Sequence, residues 1–315
     1  MKSIQSNIKK AKKYLDKNHC IAVPTETVYG LAGNAYSDQS VKKIFKLKKR
    51  PTNNPLIVHY SDINKLEDDC VVNDNFIKLY NKFSPGPITF ILKLKKGSKI
   101  SKFVTNKQKS LAVRFPKHPL FRKLLKSLDY PLAAPSANMS TRLSSVKATD
   151  VIEEFGSKIK YVLDGGKCKI GLESTIVNLL DKPTILRYGG LDILKIKKVL
   201  NKKVLVKTTL KKKIAPGQFP LHYSPGIPLR INAIKPKKDE AFVLIKKRKT
   251  KLKNYYYLSK KMDLKQSAKN LYSLLRTIKK DGYKMIAVEK IQNKGIGKTI
   301  NDRLNRASKY KWRAC

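Results

Sequence analysis

The chain has 315 residues, of which 70 are Lys or Arg and 22 are Asp or Glu, giving a net charge of +48 with histidine neutral. With 41% hydrophobic residues, 15 Gly and 15 Pro, it is neither collagen-like nor disordered, and its length suits one large domain plus a small one. Cys20, Cys70, Cys168 and Cys315 lie far apart without a CxxC pair, and His19, His59, His118 and His222 are equally dispersed, so neither a disulfide framework nor a zinc knuckle is expected. The N-terminal MKSIQSNIKKAKKYLDK lacks the apolar core of a signal peptide, and no apolar run approaches the roughly 18 residues of a membrane span, which points to the cytoplasm. The cations are mostly Lys, spread in pairs and triplets such as Lys211, Lys212 and Lys213. That spread fits compositional drift at exposed positions as well as it fits a nucleic-acid groove, and either way the field attracts RNA.

Ile4, Ile8, Ala11 and Leu15 repeat at helical spacing behind Ser3, a candidate N-cap. Apolar runs then predict strands at Cys20 to Val23, Leu56 to Tyr60, Ile88 to Leu94, Leu111 to Arg114, Leu132 to Ala134, Tyr161 to Leu163, Ser174 to Leu179 and Ile185 to Arg187. Helical patterns fall between several of them, so residues 1–205 read as one mixed α/β domain. Pro216, Pro220, Pro225 and Pro228 exclude a regular element and predict an extended linker over 206–230. Over 231–315, strands at Ala241 to Ile245, Tyr255 to Leu258 and Met285 to Val288 alternate with helix faces built on Ala268, Leu271, Leu275 and Ile278 and on Ile300, Leu304 and Ala307. This predicts a small open α/β domain.

The residues able to do chemistry sit where apolar strands run into loops. The first strand enters PTETVYGL, with the hydroxyls of Thr25 and Thr27 and a closing Gly30 able to turn sharply; the alternative is a turn whose threonines cap a following helix. Lys48 and Arg50 precede Pro51, where a helix must end. They are read either as a phosphate clamp or as a solvated basic helix end that complements the dipole. Asn54 and His59 bracket the next strand. Arg114 emerges from an apolar strand and needs an anion, from a ligand or from an ion pair. Ser136, Asn138, Ser140 and Ser144 lie in a Pro-bounded loop suited to an anion nest, while Ser174 opens one strand and Arg187 closes another. There is no nucleophile with an adjacent base, no carboxylate pair and no GxxxxGK[ST] loop. Nucleotidyl or phosphoryl transfer is the chemistry that needs little beyond positioning and positive charge.

PTETVYGL, KKRP with PLIVH, SPGPITFIL, LAVRFPKHPL, APSAN, DGG with GLESTIV, ILR, HYSPG and GIGKTINDRLNRAS stand in this order along the chain. Together they resemble the threonylcarbamoyl-AMP synthases in their long form, a YrdC-like domain followed by a C-terminal extension. The resemblance implies a twisted mixed α/β sheet with a concave pocket, a Pro-rich lid and a small Rossmann-like domain. It implies conversion of L-threonine, bicarbonate or CO2 and ATP, with Mg²⁺ on the nucleotide, to threonylcarbamoyl-AMP and pyrophosphate. The product serves tRNA modification next to the anticodon, so tRNA or a tRNA-modifying transferase is an implied partner. Carried onto this sequence, Thr27, His59, Arg114, Ala134 and Ser174 would surround threonine. Lys48, Arg50, Asn54, Ser110, Ser136, Asn138, Ser144 and Arg187 would surround ATP, with Tyr223 closing from the linker and Lys48 and Arg50 acting in catalysis. Arg50→Ala is expected to abolish turnover and leave the fold intact. The family usually has KGRP, SGRPS and Pro where this chain has Lys49, Leu143 and Tyr188, and Leu143 is expected to loosen the loop carrying Ser144. The reading from a different class is a non-catalytic double-stranded RNA or tRNA binder; a carbamoyl-phosphate-using maturation factor would need zinc-finger cysteines that this sequence lacks.

Overall fold

The computed structural model describes residues 2–209, 214–217, 221–248 and 252–310; Lys211, Lys212, Lys213, Pro220 and Cys315 lie outside these. The first region contains, in order, α1 (Lys2–Asp16), β1 (Ile21–Val23), β2 (Gly30–Asn34), α2 (Asp38–Lys48), β3 (Ile57–His59), α3 (Ile63–Glu67), β4 (Cys70–Val71), α4 (Asp74–Phe83) and β5 (Ile88–Leu94). It continues through α5 (Lys102–Thr105), β6 (Ser110–Arg114), α6 (Pro119–Lys126), β7 (Leu132–Ala133), α7 (Ala148–Phe155), β8 (Thr175–Asn178), β9 (Thr184–Arg187), α8 (Ile193–Leu200) and β10 (Leu205–Val206). The strands form one mixed sheet in the order β1-β2-β7-β3-β6-β5-β8-β9-β10, with β4 paired to β5. Central strands covered on both faces read as continuous apolar runs, and Ile88, Phe90, Ile91 and Leu92 of β5 are all fully buried. Ala11 and Leu15 of α1 join Phe121, Leu124 and Leu125 of α6 in a cluster with Ile21, Val23, Ala32 and Leu132.

Local chemistry sets the helix starts. Ser37, Asp62, Asn73 and Asp192 each accept a backbone N–H at the N-terminus of α2, α3, α4 and α8. Ser3 is not such a cap, because α1 begins at Lys2 and Ser3 lies within it. The expected strand at Tyr161 to Leu163 reduces to a single bridge between Ala22 and Val162. The sequence reading missed β2, whose GLAGN composition has little strand propensity; pairing with β1 and β7 on either side creates it. Gly30 therefore opens a strand instead of making a turn. A Cβ on it would sit 3.2 Å from the Cβ of Ala134, so the glycine serves the close approach of two chain segments.

The second region contains β11 (Leu229–Arg230), β12 (Glu240–Lys246), β13 (Tyr255–Ser259), α9 (Leu264–Lys280), β14 (Met285–Val288) and α10 (Gly297–Ala307). Its four strands form a wholly parallel sheet in the order β11-β14-β12-β13. β11 falls inside the segment expected to be linker. Ala268, Leu271, Leu275 and Ile278 of α9 are buried, as their spacing predicts. In α10, Arg303 is buried on the same helix as Ile300, Leu304 and Ala307. An arginine takes such a position only when it is fully partnered; besides Asp302 of its own helix, its partners Glu173 and Tyr188 lie across the boundary between the two regions.

Candidate active site

His59 closes β3, Arg114 closes β6, Ala134 follows β7, Ser174 precedes β8 and Arg187 closes β9. These five residues line one cavity of about 40 Å³ together with Arg50, Ser136 and, from the linker, Pro216, Gly217, His222 and Tyr223. Small-molecule sites typically measure roughly 300–1,000 Å³, so this cavity is tightly closed by its walls.

Arg114 illustrates how an arginine can leave an apolar strand. Its Nη2 donates to Glu26 Oε1 at 2.7 Å and to Thr27 Oγ1 at 2.8 Å, and Glu26 also accepts the Lys117 N–H. The fold thus supplies the ion pair that was one of the two readings. The Nε of Arg114 is buried with no partner, so the group remains able to bind a second acceptor. Thr25 Oγ1 donates to Val28 O and lies 2.7 Å from Thr27 Oγ1. A strand follows this loop, so the threonines cap no helix.

Arg50 and Lys48 are 8% and 1% exposed, which removes the solvated-helix-end reading. The Nε and Nη2 of Arg50 donate to Asn54 O and Pro55 O at 3.1 and 3.0 Å. Buried and bonded in this way, Arg50 is no exposed helix-end residue, so Arg50→Ala is expected to cost stability as well as turnover. Lys48 Nζ donates to Ser136 O at 2.5 Å and to Asn138 O, so it holds the loop carrying these residues from behind. Lys49 is the left-handed C-cap of α2, with φ 47°, a conformation that glycine adopts more readily. Burial lowers the Lys48 ammonium well below its usual range, aided by Arg50, and burial followed by Arg187 pushes the Arg50 guanidinium down to about 9. Arg187 is anchored to Ser174, donating from Nε and Nη2 to its carbonyl at 3.1 and 2.9 Å and from Nη2 to its Oγ at 3.1 Å. His59 and His222 are both driven well below the ordinary histidine value, chiefly by burial, so each is neutral near pH 7.

Of the residues singled out from the sequence, Arg50, His59, Arg114, Ala134, Ser136, Ser174, Arg187 and Tyr223 line the cavity, while Thr27, Lys48, Asn54, Ser110, Asn138 and Ser144 do not. Thr27 touches Arg114, and Asn54 supports Arg50 through its carbonyl. Ser110 stands at the opposite end of β6 from Arg114, roughly 13 Å away at strand rise. Ser144 Oγ donates to Glu173 Oε1 at 2.6 Å. Leu143 does not loosen that loop: it is buried, its N–H donates to Ser224 O and its carbonyl accepts from Arg276.

The sequence reading missed Glu173, a carboxylate on the cavity wall that is adjacent to Ser174. Besides Ser144 it accepts from Tyr272 of α9 and Arg303 of α10. Burial alone would raise its pKa; the pull of Arg303 and Arg187, with the Ser144 and Arg303 hydrogen bonds, overrides this and brings it to about 2. Nothing local marks Glu173 as functional, because its basic partner is 130 positions away in the chain. His222, in the HYSPG motif, is a second wall residue that was not assigned.

The chain is similar to known proteins along most of its length. A family model described as "Telomere recombination" matches residues 13–189, and one described as "Threonylcarbamoyl-AMP synthase, C-terminal domain" matches residues 192–309. The chain is 32% identical to a threonylcarbamoyl-AMP synthase of Pyrococcus abyssi, over 96% of this chain and 94% of the relative. It is 35% identical to one of Bacillus subtilis, over 96% and 92%. The crystal structure of P. abyssi Sua5 complexed with L-threonine superposes with a TM-score of 0.88 at 31% identity, covering 96% of this chain and 94% of that one.

Proposed function

The chain belongs to the threonylcarbamoyl-AMP synthase family of nucleotidyltransferases, and from that premise we propose how its residues join L-threonine, bicarbonate or CO2 and ATP. The observation that carries the reading is the convergence of Arg50, Arg114 and Arg187, from three separate segments, on one cavity. Its wall carboxylate, Glu173, is already engaged by Arg303. Buried polar atoms without a partner include Arg114 Nε, His59 Nδ1, His222 Nδ1 and Tyr223 OH, all on residues of this wall. Each such atom costs about 1–3 kcal/mol until a ligand satisfies it.

Arg114, held by Glu26, takes the threonine carboxylate, with Thr27, His59, Ala134 and Ser174 around the amino acid. The threonine amine and CO2 give a carbamate; starting from bicarbonate, one water is lost. A carbamate oxygen forms a bond to the α-phosphorus of ATP, the bond from that phosphorus to the bridging oxygen breaks, and pyrophosphate leaves with the electron pair. Arg50 and Arg187 balance the charge on the phosphates. Lys48, Asn138 and Asn54 shape the loops on which Ser136 and Arg50 sit, and Ser144 supports the same wall through Glu173. Tyr223 closes the linker over the reactants and keeps water from the carbamate. Among the described residues no three His, Cys, Asp or Glu side chains come together as a metal cage. Mg²⁺ would then be held by phosphate oxygens and water, a common mode for this ion.

No helix among the described residues is long and apolar enough to cross a membrane. The product passes to a tRNA-modifying transferase in the cytoplasm. The test is pyrophosphate release from ATP and Mg²⁺, with threonine and bicarbonate omitted in turn. Release that needs both supports the reading, and release indifferent to threonine overturns it.

A further inference from the structure

Arg303 is among the largest fully buried side chains, 1% exposed, although it belongs to α10 of the small region. Its Nε donates to Glu173 Oε2 at 2.8 Å and its Nη2 to Tyr188 O at 2.7 Å, while Nη1 pairs with Asp302. The guanidinium carbon lies 4.5 Å from the ring centroid of Tyr223, a cation–π contact. The same ring stacks on Tyr272 at 6.0 Å between centroids, and the Tyr272 hydroxyl donates to Glu173. One arginine therefore touches the residue before Ser174, the residue after Arg187 and the linker aromatic that covers both.

Tyr223 does not sit comfortably by itself. Its φ of 62° is left-handed, unfavourable for a bulky side chain, and its hydroxyl is buried without a partner. Such a conformation persists only where the surroundings impose it. The groups imposing it here are Arg303, Tyr272 and the His222 ring, whose centroid lies 3.9 Å away.

We propose that Arg303 is a positioning residue, a latch by which the small region holds Tyr223 over the cavity and fixes the chain on either side of it at Glu173 and Tyr188. This rests on the reaction assigned above, with Ser174 on the threonine side and Arg187 on the nucleotide side. Two opposed contributions make the latch reversible: the strained backbone and orphan hydroxyl favour release, and the guanidinium–ring contact favours closure. The small region thereby governs a cavity to which α9 and α10 contribute no wall residue.

The test is hydrogen exchange on the full-length protein without substrates, comparing wild type, Arg303→Lys, Tyr223→Leu and the double variant. Arg303→Lys keeps a cation beside Glu173 and loses the planar fork to Tyr188. The reporters are the Ser224 N–H, bonded to Thr141 O, and the Leu143 N–H, bonded to Ser224 O. A latch predicts that each single variant speeds exchange there by about tenfold or more, with the double variant no faster than either. The strand amides of Val243 and Ala287, in β12 and β14, should keep wild-type protection. Wild-type exchange at Ser224 in both single variants, additive effects in the double variant, or equal loss of protection in β12 and β14 would each overturn the proposal. Since no substrate is present, a latch found in a protein that releases no threonine-dependent pyrophosphate would overturn the assigned reaction alone.

Discussion

The cavity has two kinds of cationic wall. On one side Arg114 is paired with the buried carboxylate of Glu26 at 2.7 Å, so its charge is balanced and its direction set before any ligand arrives. On the other side Arg50 and Arg187 donate hydrogen bonds only to oxygens that carry no net charge, Asn54 O and Pro55 O and Ser174 O and Oγ, while Lys48, behind this wall, donates to Ser136 O and Asn138 O. Carbonyl dipoles orient a cation without neutralising it; burial chiefly depresses Lys48 and Arg50, and the neighbouring cation, Arg50 for the first and Arg187 for the second, adds to the effect. Arginine does not surrender its proton near neutrality, so the unbalanced charge persists as a demand for an anion. A balanced cation suits an amino acid with a single carboxylate, whereas cations hydrogen-bonded only to neutral oxygens suit a triphosphate.

Breaking the unbalanced side should have the largest effect. Arg50→Ala is expected to lower threonine-dependent pyrophosphate release by at least about a hundredfold. It should also cost about 1–3 kcal/mol of stability, because Asn54 O and Pro55 O lose a buried donor. Pyrophosphate assays and urea melts measure the two effects, and undiminished turnover would remove Arg50 from the mechanism. On the balanced side, Arg114→Ala strands Glu26 in a buried site and should destabilise the protein by about 3–5 kcal/mol. Adding Glu26→Gln should return most of that stability and none of the threonine dependence; if the second change restored nothing, the pairing would not be what holds this wall.

The third prediction sharpens the contrast by pH. Glu173 has its carboxyl lowered from 4.5 to about 2. The ionised form is therefore favoured by the fold, and its contribution is fully present above pH 4.5 and lost as pH falls towards 2. That loss amounts to about 3 kcal/mol. Glu173→Gln should show a flatter stability curve across this window than wild type in acid-titrated thermal melts. Parallel curves would mean that Arg303 does not rely on this carboxylate.

Much of the framework could be read from the chain. The strands β5, β6, β8, β9, β12 and β14 are apolar runs whose position follows from burial on both faces, β13 is a half-buried aromatic run at a sheet edge, and α9 follows from its helical spacing. β2 was not legible, since glycine and alanine form a strand there only because β1 and β7 flank them. The motif residues at strand ends, His59, Arg114 and Arg187, and Arg50 after the end of α2, were recognisable because cations at the ends of apolar elements are conspicuous. Their exposure was not, and Arg50 and Lys48 proved buried because the loops 51–55 and 135–140 fold over them.

The order of apolar runs and cationic motifs was sufficient for the mixed α/β character and the family, because these depend on neighbours within a few residues. Which cations are balanced, and which side chain of α10 holds Tyr223, was decided only when distant segments met. Glu26 finds Arg114 and Glu173 finds Arg303 across 88 and 130 positions, and the free energy of a buried charge depends on what surrounds it in space.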